Sequence, residues 1–135
     1  DAELSDAMLA VLSQRLVRRV CQACRETGEP TDEQRELFGG LLEDDEVPKP
    51  VGCEACHHTG YSGRVGLFEL LVIDRNLQEM IYEGAAAGRI REYARSKGHR
   101  NLLADAIDKV DAGVTTLDEI ERIIPYRQIL SARDR

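Results

Sequence analysis

The chain has no tryptophan and only four tyrosines and two phenylalanines among its 135 residues, so its core must be aliphatic. It has no excess of positive charge. Eighteen Lys+Arg stand against 25 Asp+Glu, a formal net charge of −7. That balance argues against a general nucleic-acid surface or an anionic-membrane surface, and no nucleic-acid partner is expected. No apolar run approaches the ~20 residues of a membrane span, so no direct span is expected either. The start, Asp-Ala-Glu-Leu, has neither the basic region nor the apolar stretch of a signal peptide and no initiator Met. The expectation is that the chain begins inside a longer protein. Catalytic signatures are missing too: there is no G-x-x-x-x-G-K-[ST], no His-Glu-x-x-His and no Ser/His/Asp constellation. Gly63-Arg-Val-Gly66 is too short for a phosphate loop and lacks the Lys-[ST] that would follow. With 32% charged and 42% hydrophobic residues, the chain reads as a soluble globular unit of one compact body, or a body with a subdomain.

The informative residues are cysteines. Cys21, Cys24, Cys53 and Cys56 form two Cys-x-x-Cys pairs with 28 residues between them. Four cysteines in a chain of this length are too sparse for a disulfide scaffold. A Cys-x-x-Cys turn brings both sulfurs to one side, and its backbone N–H groups can point at them. Two such knuckles can clamp one ion, and four thiolates make a closed tetrahedral site, so a structural Zn2+ is expected on Cys21, Cys24, Cys53 and Cys56. Three other readings stand beside this one. Cys53-Glu-Ala-Cys56-His57 matches the C-x-x-C-H of c-type haem attachment, but haem would leave Cys21 and Cys24 unexplained. A redox Cys-x-x-Cys would need a βαβ context, and none precedes either pair. Buried thiols can also pack as small hydrophobes. His57 and His58 either substitute as ligands or are solvated turn residues, and His99, past a helix end, defaults to the surface. A centre of four thiolates and one dication carries a charge of −2 and needs donors; Arg18, Arg19, Arg25, Lys49 and Arg64 flank the knuckles and are candidates.

The expected elements are mainly helical, with one short β element, giving an α+β chain. Leu4, Met8, Val11, Leu12, Leu16 and Val17 recur at helical spacing, so a helix is expected over 4–20 with Arg15, Arg18 and Arg19 at its C-terminal end. Thr31 with Gln34 predicts a capping box and a helix over 32–42. Residues 43–50, acidic and then Pro-Lys-Pro, are expected to form an exposed loop, and 60–63 a turn. The β-prone run 65–73 is the expected strand. Asp74 predicts an N-cap for a helix over 75–83; further helices are expected at 86–97, 102–112 and from Thr116 to Ile124, with Gly98 and Gly113 ending the first two.

The ordered combination resembles one known family. Leu12-Ser-Gln-Arg-Leu-Val-Arg18, the first knuckle, Gly52 with the second knuckle, and Gly60-Tyr-Ser-Gly-Arg-Val-Gly66 running into Leu67-Phe-Glu-Leu-Leu71 are similar to the C-terminal part of bacterial type II secretion and type IV pilus assembly ATPases. Leu102 to Ile120 resembles the family's closing pattern, with Asp105, Lys109, Gly113, Thr115 and Glu119 in place. His99 stands where the family usually has Met, and Asp105-Ala106 where it usually has Asp-Gly. The resemblance implies a cytoplasmic, homo-hexameric parent that hydrolyses ATP with Mg2+ and docks on inner-membrane platform proteins. It implies a division into 1–20 as the closing helix of the ATPase domain, 21–73 as a zinc-binding subdomain and 74–135 as a helical subdomain. The ATP site of that family lies upstream, so this chain is not expected to turn over ATP itself. Arg15 and Arg64 become candidate subunit or nucleotide contacts. The run Glu69-Leu-Leu-Val72 leans toward the secretion branch over the pilus branch. A free-standing zinc adaptor that binds a protein partner is the alternative from another class.

Overall fold

A computed structural model describes residues 9–134. Among them lie four strands and six helices, an α+β arrangement. Strand β1 (Ala10–Val20) is followed by β2 (Glu26–Gly28), α1 (Asp32–Phe38), β3 (Val47–Lys49) and β4 (Tyr61–Val72). Helices α2 (Arg75–Tyr82), α3 (Ala87–Ser96), α4 (Leu102–Asp111), α5 (Leu117–Ile123) and α6 (Tyr126–Arg133) complete the chain. β1 and β4 form one antiparallel ladder from Ala10↔Val72 to Val20↔Tyr61, with a bulge between Arg18 and Val20. β2 and β3 form a second, three-residue ladder.

The helix expected over 4–20 is corrected: residues 10–20 are a strand, and residues 4–8 of that expectation lie outside the described residues. The apolar spacing fits both periods. Leu12 and Leu16, four apart, share a helix face but also share a strand face. The branched residues Val11, Val17 and Val20 favour the strand, and pairing with β4 decides it. Val17 and Leu67 then point inward and are fully buried, while Leu12, Leu16, Phe68 and Leu70 on the other face stay exposed. Three smaller differences follow. The turn expected at 60–63 is the start of β4, with positive φ at Gly60 and Gly63. Residues 47–49 of the expected loop pair with β2. A helix stands beyond Pro125, which occupies the cap position of α6 and buries Ile129.

The locally encoded helices match expectation in place, but α1 stops at Phe38 and a 3-10 turn, Gly39–Leu41, takes up most of the rest of the stretch expected over 32–42. Thr31 and Gln34 form the complete capping box of α1. Asp74 caps α2 by accepting from the Leu77 N–H. The core is aliphatic around one ring: Phe38, Val17, Leu67, Leu103, Val110 and Ile120 bury together. It clamps α4 and α5 against the ladder and places the C-terminal turn of α4 beside the first knuckle. There Gly113, at φ 78, accepts from Arg25 Nη1 at 2.9 Å. A Cβ on Gly113 would lie 2.0 Å from that nitrogen. Gly113→Ala therefore combines a left-handed alanine with expulsion of Arg25 and should cost about 2 kcal/mol or more. An unchanged urea midpoint would contradict this.

Candidate metal centre

β1 delivers Cys21 at its end and β4 begins just after Cys56, so the β1–β4 ladder brings the two knuckles together. Cys21 N–H donates to Gly60 O at 2.9 Å, joining them through the backbone. The first knuckle is a turn closed by Arg25 N–H to Cys21 O at 2.9 Å. The second is the 3-10 turn Glu54–Cys56, followed by His57 and His58, both left-handed at φ 55 and 61. Gly60, at φ 84, lies where a Cβ would meet Pro50 Cβ at 2.7 Å, so only glycine lets residues 50 and 60 close around the turn.

All four sulfurs lie within 4.8 Å of one another. Cys21 to Cys53 and Cys24 to Cys56 are each 3.9 Å, and Cys53 to Cys56 is 3.8 Å. These distances are far beyond the ~2.05 Å of a disulfide. They form a soft donor set for a single metal ion. Cys21 and Cys56 are buried and the other two half-buried. His57 and His58 are exposed and outside the cluster.

Among the described residues, the sulfurs are met by backbone N–H groups and not by side-chain cations. Gly52 N–H donates to Cys24 Sγ at 3.3 Å, and Cys53 and Gly60 N–H both donate to Cys56 Sγ at 3.2 Å. Burial works to raise the Cys56 thiol, but these two N–H groups and the neighbouring Cys24 and Cys53 thiols bring it down to about 6. At Cys24 the Gly52 N–H works downward, yet burial and the Cys53, Cys21 and Cys56 thiols outweigh it and hold that thiol up at about 11. A dication held among the sulfurs would let four thiolates coexist.

Two of the cations expected around the sulfurs, Arg18 and Arg25, serve elsewhere. Arg25 binds Gly113, as above. Arg18 donates through Nε at 2.9 Å and Nη2 at 2.8 Å to Glu119 Oε1, and its backbone N–H donates to Oε2 at 2.7 Å. Arg122 donates to the same carboxylate, Nη2 to Oε2 at 2.8 Å. The Arg18 guanidinium also sits 4.1 Å from the Tyr61 ring centroid, and Tyr61 OH lies 2.9 Å from Thr116 Oγ1. Nothing local announces this network, since Arg18 and Glu119 are 101 positions apart. Thr116 does accept the Glu119 N–H at 3.3 Å, but the Glu119 side chain turns to the arginines instead of closing a capping box. Arg15 and Arg64 are exposed, on opposite faces of the ladder, and are not brought together.

Fold and centre together define a four-cysteine α+β module in which a strand ladder is pinned at one end by a thiol cluster. Residues 1–122 match the family described as "Type II/IV secretion system protein", and the chain belongs to it. It is 43% identical over 122 residues to a type II secretion system protein E of Aeromonas hydrophila, covering 89% of this chain and 24% of that protein. It is 42% identical over 120 residues to the type IV pilus assembly ATPase PilB of Thermus thermophilus, covering 87% of this chain and 14% of that one. With the type II secretion system ATPase E of Vibrio cholerae it shares 38% over 121 residues, 89% of this chain and 24% of the relative. The chain thus spans about a quarter or less of the length of these relatives. No helix of the described residues is long and apolar enough to cross a membrane.

Proposed function

We propose that this chain is the zinc-binding C-terminal portion of a secretion-type motor ATPase, with a structural role inside a larger hexameric machine. The observation that carries the reading is the sulfur spacing. Zn–S bonds of about 2.3 Å in a tetrahedron require S···S of about 3.8 Å, and the cluster offers 3.8 and 3.9 Å. Cys21, Cys24, Cys53 and Cys56 would hold the ion, and all four positions are thiols, the donor set of a closed structural site with no open position for substrate. Zinc supplies cross-linking here, tying the end of β1 to the start of β4 and, through Arg25, to the turn after α4.

The parent would couple ATP hydrolysis to pilus or pseudopilus assembly from the cytoplasmic side of the inner membrane, docking through platform proteins. Near-equal identity to a secretion protein and to a pilus ATPase supports either branch. The sequence holds no Walker A loop, so the ATP site belongs to other segments of the parent. β1 fits a place at the seam with those segments: β4 flanks one side of it, and no strand of the described residues flanks the other. Arg15 and Arg64, exposed on this ladder, are the side chains we assign to subunit or nucleotide contact in the assembly.

Elemental analysis of the purified chain should find one zinc per molecule. Iron, a Soret band or a metal-free folded chain would overturn the assignment. For the parent's role, this chain grafted in place of the matching stretch of the Aeromonas hydrophila relative should sustain secretion. The same graft with Cys21→Ser should not. Failure of the intact graft despite bound zinc would argue against the motor reading.

A further inference from the structure

The outer edge of β4 is closed by two side chains, and their chemistry describes what they stand in for. In the antiparallel ladder, Leu12↔Leu70 and Gln14↔Phe68 are pairs whose backbone groups point away from each other. The N–H of Phe68 and the C=O of Leu70 therefore face outward, where a third strand would lie. Asp105 Oδ2 accepts from Phe68 N–H at 2.8 Å. The same oxygen accepts from Lys109 Nζ at 2.7 Å. His99 Nδ1 reaches Leu70 O at 3.0 Å, held in place by its Nε2, 2.9 Å from Glu69 Oε2. An acceptor on Phe68 and a donor on Leu70 are what an added strand presents with its own C=O and N–H.

Alongside this edge runs a cleft of about 590 Å³ between β4 and helices α2 to α4. Phe68, Leu70 and Val72 form its apolar side and are 46%, 53% and 64% exposed. Their alternation matches the two-residue period of an extended chain. Lys97, Arg100 and Lys109 stand on its rim. Asp105 is both the surrogate carbonyl and the counter-ion of Lys109, so an incoming strand that displaces it must bring a carboxylate with it.

We propose that the β4 edge is a strand-addition groove for an extended peptide that alternates apolar and acidic residues, with Asp105 and His99 as its displaceable cover. Backbone pairing with Phe68 and Leu70 supplies affinity, and the apolar stripe and the lysine rim supply selection. This proposal is independent of the zinc site.

The probe is an acetylated, amidated Glu-Val-Glu-Val-Glu-Val hexapeptide titrated into the ¹⁵N-labelled chain. The largest amide shifts should fall at Phe68 and Leu70, and the His99 ring signals should move with them. Methylating the peptide nitrogens on the pairing edge should weaken binding about tenfold, the worth of one or two hydrogen bonds. Asp105→Asn keeps an acceptor toward Phe68 but releases Lys109, so it should bind the acidic peptide more tightly than the wild type. Absence of shifts at millimolar peptide would overturn the proposal, and so would equal binding of the methylated peptide. Equal binding of a Lys-Val-Lys-Val-Lys-Val peptide would overturn the acidic selection.

Discussion

A Cys56→Ser chain should lose its metal and the order of both knuckles in one step. Cys56 is the buried sulfur on which two backbone N–H groups converge, those of Cys53 and Gly60 at 3.2 Å. Serine shortens the reach and replaces a soft donor with a hydroxyl that stays protonated, leaving three ligands and two misdirected N–H groups. In small thiolate sites the metal contributes on the order of 10–16 kcal/mol of folding free energy. A domain is typically stable by only about 5–15 kcal/mol, so the site cannot be lost quietly. The amides to watch are Val20, bonded to Val114 O at 3.0 Å, and Cys21, bonded to Gly60 O at 2.9 Å. Both should exchange with solvent at close to unprotected rates in the variant and in chelator-treated wild type. Leu103, Ala106 and Val110 of α4, buried in the main core, should keep more protection. Full protection of Val20 and Cys21 in a variant that still binds one zinc would refute the structural role of this cysteine.

How much of this was legible in the sequence follows from the range of each interaction. The gathering of the four cysteines could be read because each knuckle is a four-residue motif whose turn geometry is local. The caps at Thr31, Asp74 and Gly113 were legible for the same reason: a side chain or a glycine settles the φ and the orphan N–H groups of its own turn. β1 was not legible as a strand, since Leu12 and Leu16 satisfy either period and the tie is broken by β4, about fifty positions downstream. The surroundings of the cysteines were legible in part: the knuckle N–H groups expected at the sulfurs do reach Cys24 and Cys56, but among the described residues no cation beside the knuckles in sequence donates to a sulfur. That left Arg18 and Arg25 for partners that only the folded chain brings close. Asp105 and Glu119 stand at positions of the family's closing pattern, but what they bind, β4 for one and Arg18 for the other, is set by contacts no local spacing encodes.

Glu119→Gln should be the most damaging conservative change away from the cysteines. The carboxylate is buried, with side-chain exposure of 1%, while its arginine partners are about half exposed. Burial works to raise its pKa, but hydrogen bonds from Arg122 and Arg18 overcome it and bring it from the usual 4.5 to about 2. Because the folded value is the lower one, the stabilisation is fully present above about pH 4.5 and is lost as pH falls toward 2. The difference corresponds to about 3 kcal/mol, trimmed somewhat by solvent around the two guanidinium groups. Glutamine keeps the shape but sets a neutral amide, with an N–H₂ group of its own, against two guanidinium donors. A loss of about 3 kcal/mol, or roughly 10 °C in melting temperature for a chain of this size, is expected at neutral pH. The pH profile separates this from ordinary packing damage. Wild type should lose stability steeply between pH 4.5 and 2, and the variant should lose that component of the slope. Parallel profiles would mean that Glu119 is held for its shape and not its charge. The effect should also reach the knuckle, because Arg18 stacks on Tyr61 and Tyr61 anchors Thr116 at 2.9 Å. Release of Arg18 should therefore speed zinc loss to a chelator in Glu119→Gln, while Arg122→Lys, which leaves Arg18 paired, should release zinc at the wild-type rate.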